Sequence, residues 1–310
     1  DSPLFEHIAS AEGDVAGLSR QYVYALYEAS DGRIWIGTQA SGAAVLDPDS
    51  GRLQRFLPGT DGTGHPWISG FSEPQPGQIW VHSYGGGIDI VDATVDRIVN
   101  RVRSDLSIPG GLTLDRLTAP LRDRSGLIWL GTWGAGVQHY NPNNAAAFRS
   151  IRHSAASSGG LSAGSVMSTL PLDAHTVLIG TGGAGIDVLD LERGVVRTFP
   201  PDSQAPGRLR DGTIRALERA PDGTIWVGTQ QAGVQTLDLA SGQFSEPLAK
   251  LPRGPVRQLE LIPSGLLAVG MQAALVLHDP ASGQVRRLRT DSDQDFTDAV
   301  WSPLADADGH

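Results

Sequence analysis

Six segments of the type "IWIGT" recur along the chain, and the residue after each one varies: Gln39, Tyr84, Trp133, Gly182, Gln230 and Gln272. Aromatic rings stack on sugar faces, and amides exchange hydrogen bonds with hydroxyls. A second set, where each repeat's first strand begins, is Tyr22, Trp67, Arg116 and Thr213. One step deeper come Tyr24, Ser69, Thr118, Met167, Arg215, Arg257 and Trp301. Three arginines among several aromatics suit an anionic or polyhydroxylated ligand, because guanidinium groups fork onto acidic oxygens. The expected ligand-binding set is Tyr22, Tyr24, Gln39, Trp67, Tyr84, Arg116, Trp133, Arg215, Gln230, Arg257, Gln272 and Trp301. His65 and His153 lie in the links beside it. A plainer reading stands next to this one. Strand-end aromatics also cover turns, and arginines also pair with local carboxylates.

Other patterns promise less. "GTGGAG" (Gly180–Gly185) satisfies G-x-G-x-x-G, but a nucleotide loop needs a helix after it, and here the segment is a turn shared with the other copies. "GLSAG" (Gly160–Gly164) satisfies G-x-S-x-G without the strand–turn–helix that would make Ser162 a nucleophile. The eight histidines show no H-E-x-x-H spacing, so no metal and no cofactor is expected. Aspartates in turns such as "LDPDSG" resemble calcium ligands by type and are better read as bonding their own backbone. Asp89 and Asp187, each in "GID", either face the varied residues or hydrogen-bond neighbouring turns. With Glu28 they are the candidates for a hydrolytic pair, which would need carboxylates about 5–10 Å apart. No catalytic residue is expected.

The elements that must position these side chains follow from the repeat. Trp35, Trp80, Trp129, Leu178, Trp226 and Leu267 occupy one position, at steps of 45, 49, 49, 48 and 41 residues. That period points to propeller blades. Each copy has an apolar run such as "YVYALYE", a tight turn ("SDG", "RSG" or "PDG"), the β-branched and aromatic "IWIGT", a glycine turn, then "AVLD" and a last strand such as "RLQRF". Four antiparallel strands per blade result, all-β throughout, with the motif tryptophans in the core wedge between blades. Blades are expected at about 18–56, 64–103, 112–151, 161–199, 209–246 and 254–289 of a single domain, 1–310. A seventh, incomplete blade combines 296–310 with 1–8; six complete blades is the rival count. Closure would remove exposed sheet edges and gather the varied residues at the mouth of a central channel.

The units resemble the two-component regulator propeller repeat. "LSRQYVYALYEASDGRIWIGTQASGAAVLDPDSGRLQRF" (Leu18–Phe56) follows its pattern nearly position for position. "LTLDRLTAPLRDRSGLIWLGTWGAGVQHYNP", "LSAGSVMSTLPLDAHTVLIGTGGAGIDVLD" and "LRDGTIRALERAPDGTIWVGTQQAGVQTLD" are weaker copies. The second unit departs from it with His82 for a glycine, and the sixth, "LLAVGMQAA", lacks the tryptophan and threonine. The resemblance implies the periplasmic sensor region of a membrane-bound signalling protein. It implies its own membrane-spanning and output modules, a histidine kinase or diguanylate cyclase, and a homodimer in the full-length protein.

Composition narrows the partners. A formal net charge of −10 with no basic run argues against nucleic acid. The absence of cysteine excludes disulfides and thiolate metal sites. "LIPSGLLAVGMQAALVL" (Leu261–Leu277) contains Pro263, Gly265 and Gln272 and falls in phase with the repeat, so it reads as two strands rather than a membrane helix. Three function classes remain. A non-enzymatic sensor of a small-molecule or oligosaccharide ligand leads. A propeller lyase or glycoside hydrolase, and a protein-interaction or dimerisation scaffold, are the alternatives.

Overall fold

A computed structural model describes residues 22–108, 110–144, 148–153, 159–252 and 254–288. These residues form six four-stranded antiparallel sheets, each a meander in chain order. They are blades 1 to 6, over residues 23–56, 68–102, 121–151, 166–199, 214–244 and 256–288. The fold is an all-β propeller of four-stranded blades. Six is the rival count of the sequence reading; the expected seventh blade lies outside the described residues. The chain divides into two compact units, Asp1–Ser150 with blades 1 to 3 and Ile151–His310 with blades 4 to 6. Among the described residues no helix is long and apolar enough to cross a membrane.

The second strand of each blade carries the motif, and its burial explains the composition. Ile34–Thr38 is buried beyond its first residue, and Ile225–Thr229 is buried throughout. Trp35, Trp80, Trp129 and Trp226 are 0%, 4%, 0% and 6% exposed, which makes them core. In the first unit Trp35 stacks on Phe56 at 5.4 Å and leans on Phe71 of the next blade. One apolar cluster joins blades 1 and 2, and a second joins blades 2 and 3. The second unit repeats the scheme, with one cluster across blades 4 and 5 and another across blades 5 and 6.

Two motif positions have direct physical causes. The glycine of "IWxGT" lets the next blade approach: a Cβ on Gly37 would lie 2.9 Å from Ile68 Cγ2, and one on Gly228 would lie 2.6 Å from Val256 Cγ1. Blade 2 inverts this arrangement. His82 replaces the glycine, and its cross-strand partner becomes Gly70, where a Cβ would meet Pro120. The imidazole is fully buried, shares a 2.8 Å hydrogen bond with Ser72 Oγ, and is pushed down to a pKa of about 3 by burial. The motif threonine closes the next turn. Thr38 Oγ1 donates to Gly42 O and accepts from Ser41 N, and Thr132, Thr181 and Thr229 do the same. Blade 6, with Met271 here, makes a two-residue hairpin and places Ala273 at φ 57°.

Blade 3 is the irregular one. Its first strand is reduced to Leu121–Arg122, directly after Pro120, whose nitrogen cannot donate to a ladder.

Candidate functional site

Every varied position is fixed by the same backbone bond. The amides of Gln39, Tyr84, Trp133 and Gln230 donate to the carbonyls of Tyr22, Trp67, Arg116 and Thr213 at 3.0–3.2 Å. In blades 4 and 6 the amides of Gly182 and Gln272 donate to Ser165 and Pro255. Just beyond, the first strand slips register, between Val23 and Ala25, Ile68 and Gly70, Val166 and Ser168, Ile214 and Ala216, and Val256 and Gln258. The residues set apart by these bulges are Tyr24, Ser69, Met167, Arg215 and Arg257. A bulge re-aims a side chain out of the regular pleat. The scaffold therefore presents a variable side chain on the turn of every blade and, in blades 1, 2, 4, 5 and 6, a second one on the bulge.

In the first unit these positions, together with Trp67 at the start of the first strand of blade 2, assemble an aromatic surface. Tyr24 meets Trp67 edge-on at 5.4 Å, Trp67 stacks on Tyr84 at 4.4 Å, and Tyr84 meets Trp133 edge-on at 5.4 Å. Arg116 holds its guanidinium 5.6 Å from the Tyr84 ring centre. An open cleft of ≈ 450 Å³ at blades 2 and 3 is lined by His65, Tyr84, Gly85, Ser104, Leu114, Asp115, Arg116 and Trp133. Among the described residues the buried Trp67 Nε1 and Ser69 Oγ have no hydrogen-bond partner, so two polar atoms stand unsatisfied at this surface. Tyr22, half exposed, and Gln39 lie beside it in blade 1.

The second unit fills the same positions differently. Arg215 Nε donates to Gln230 Oε1 at 2.6 Å, and Arg257 Nη2 donates to Gln272 Oε1 at 2.8 Å. In each pair the bulge residue grips the turn residue of its own blade. Gly182 leaves the turn of blade 4 bare, with Met167 beneath it. Trp301 lies outside the described residues.

Of the three carboxylates considered for hydrolysis, Glu28 is exposed and Asp89 and Asp187 are engaged in the scaffold. Asp89 is fully buried and accepts from the Gly64 amide (2.6 Å), Arg103 (2.6 Å) and Arg101 (3.2 Å). Asp187, also fully buried, accepts from the amide and hydroxyl of Ser162 and from Thr198. Both are scaffold latches. Gln138 and Gln235 take the same place, accepting from the Thr113 and Arg210 amides, and all four contacts span 25 residues. Ser162, the serine of "GLSAG", is a latch donor. The turn aspartates bond their own backbone, as Asp47 does with the amides of Asp49 and Ser50.

Sequence reasoning left several features unread. The 25-residue latch was visible only as a third-strand position holding Asp or Gln. Asp115 and Gly85 line the cleft, and the signal for Gly85 was a run of three glycines, Gly85–Gly87, unique to that copy of the turn. A second cleft, ≈ 580 Å³, lies at the opposite strand ends of blade 5, lined by Arg219, Asp222, Asp238 and neighbours, and holds none of the expected residues. In the same unit Glu218 is pushed up to about 7 by burial, with the Leu261 amide opposing and the Glu260 charge adding to the rise.

Residues 17–40 and 208–231 match the family described as two component regulator propeller, one repeat in each unit, so the chain carries that repeat. No curated protein matches the sequence. Two crystal structures of the extracellular domain of BT4673 from B. thetaiotaomicron, described as a one component system and as a hybrid two component system, superpose with TM-score 0.73 at 17% and 16% identity. They cover 94% of this chain, which spans 37% of theirs. The extracellular domain of BT3049 from the same organism gives 0.58 at 16% identity, over 86% of this chain and 41% of that one. The WD40 propeller of Doa1 gives 0.65 at 13% identity, over 94% and 88%. Likeness at this level establishes the fold alone.

Proposed function

We propose that this chain is the non-enzymatic ligand-sensing propeller of an extracytoplasmic signalling receptor, and that the ligand docks on the aromatic surface of blades 1 to 3. The observation that carries the proposal is the run Tyr24–Trp67–Tyr84–Trp133, built entirely on variable positions and left open at a cleft. Scaffold needs do not account for four large aromatics there, because the equivalent positions of the second unit hold two Arg–Gln pairs, a methionine and a glycine, with Ser165, Thr213 and Pro255 in the place of Trp67. The family repeat and the extracellular domains of BT4673 and BT3049 support the sensing role and the location outside the cytoplasm.

Several further statements belong to the same proposal. Residues 1–310 act as one propeller, the full-length receptor is a homodimer, and its own membrane-spanning and output modules relay the signal. The ligand is a small polyhydroxylated or anionic molecule, and nucleic acid is not a partner. A thermal-shift screen of sugars, oligosaccharides and sugar acids tests the reading. A hit whose effect disappears in Tyr84→Ala and Trp133→Ala supports it. Turnover of a hit, or a hit indifferent to both substitutions, rejects it. A single cooperative melting transition is the matching expectation for one domain.

A further inference from the structure

We infer that the cleft of blades 2 and 3 recognises a carboxylate attached to a flat or cyclic body, with His65 and Arg116 as its donors. The inference rests on the reading of the aromatic surface as the ligand site and names the chemistry that site selects.

The first observation is a fixed tautomer. The Trp67 amide donates to His65 Nδ1 at 3.1 Å. A backbone N–H can only donate, so Nδ1 is the acceptor and the neutral ring carries its proton on Nε2. That atom faces Gly85, since a Cβ built there would lie 3.1 Å from it. Gly86 makes room for the rest of the side chain: a Cβ there would lie 2.9 Å from His65 Cβ. The glycines of "YGGG" thus form a cradle for one imidazole, held as an N–H donor at the edge of the cleft.

The second observation is the cation. Arg116 lies over the Tyr84 face, and among the described residues its guanidinium makes no ion pair and donates no hydrogen bond. The carboxylate among the lining residues, Asp115, is anchored, with Oδ1 accepting the Ser104 amide at 2.6 Å. The cleft therefore sets the His65 and Arg116 donors beside two aromatic walls, Tyr84 and Trp133. An acceptor-only group satisfies both donors, and a planar or cyclic body lies against the walls. A carboxylate on a ring combines these features.

Two acids separate the possible sources, galacturonate for sugar acids and 4-hydroxybenzoate for aromatic acids, each paired with its uncharged methyl ester. Titration of the ¹⁵N-labelled chain, read at the Trp133 indole and the Gly85 amide, should show saturable shifts with at least one acid. Its ester should bind about tenfold more weakly, the size expected when a charge-assisted hydrogen bond is lost. Arg116→Gln should bring acid and ester level, and His65→Phe should weaken the acid more than the ester. Equal binding of acid and ester overturns the carboxylate inference while the aromatic site stands. Neither acid shifting these signals also overturns it. Shifts confined to residues of the second unit reject the site itself. Unchanged thermal unfolding of both variants separates lost recognition from lost folding.

Discussion

Blades 1 to 3 and blades 4 to 6 place their variable residues on the same backbone device, a glycine turn bonded to the start of the first strand, joined by a bulge in every blade but the third. The first unit fills it with Tyr24, Trp67, Tyr84 and Trp133 in continuous ring contact. The second fills it with Arg215–Gln230 and Arg257–Gln272, each pair closed on itself. Shared positions thus serve the scaffold, and under the proposed function the differing positions carry the chemistry. The contrast also operates within one blade, where Trp129 and Trp133 stand four residues apart. Trp129 is fully buried and donates to Asp123 Oδ2 at 2.8 Å, whereas Trp133 lines the cleft.

The largest expected effect separates those two tryptophans. Trp129→Ala should cost about 3–5 kcal/mol in denaturant unfolding, the usual cost of an emptied aromatic core position. Trp133→Ala should cost about 1 kcal/mol or less and abolish ligand-induced stabilisation. Equal costs would erase the distinction between scaffold and site.

The latches come next. Asp187→Ala leaves the Ser162 amide and the Thr198 hydroxyl without their acceptor, so a loss of about 1–3 kcal/mol is expected. Asp187→Gln should recover part of it, because Gln138 and Gln235 do this work in blades 3 and 5. If the glutamine variant is no better than alanine, the latch is not interchangeable between blades.

Glu218 gives a smaller, pH-dependent effect in the second unit. Its folded pKa, about 7, is raised, so its contribution is fully present below the ordinary carboxylate pKa and is lost as pH rises toward 7. Glu218→Gln should therefore stabilise the protein at pH 8 by of order 1 kcal/mol and change little at pH 4. A gain at pH 4 equal to that at pH 8 would refute the assignment. The smallest effect is expected at the turn aspartates. Asp190 is held below the usual range by the amides of Glu192 and Arg193, so its contribution is present at neutral pH and lost as pH falls through the lowered value. Asp190→Ala should lower the melting temperature at pH 7 and not at pH 2.

Much of this was legible in the residues. The tryptophan period places each blade, and "IWxGT" locates the second strand because a buried β-run, a close glycine and a turn-closing threonine each need one residue type. The variable positions were also visible, since they sit at fixed offsets from that motif. Their grouping was not. Tyr24, Trp67, Tyr84 and Trp133 lie on three blades, and their contact depends on turn and bulge geometry that no single copy reveals. Asp89 and Asp187 looked open to two uses because a carboxylate has no periodicity of its own; only the partner 25 residues earlier decides. The sequence places His65 in a link between blades, but its tautomer depends on one backbone amide two residues on.

The most direct test of the division between scaffold and site is an indole-resolved NMR titration with galacturonate and neutral sugars. The account predicts saturable movement of the Trp67 and Trp133 Nε1 signals, with those of Trp35, Trp129 and Trp226 unmoved. Movement of the buried indoles with Trp133 unmoved, or a response confined to the amides of Gln230 and Gln272, would contradict it.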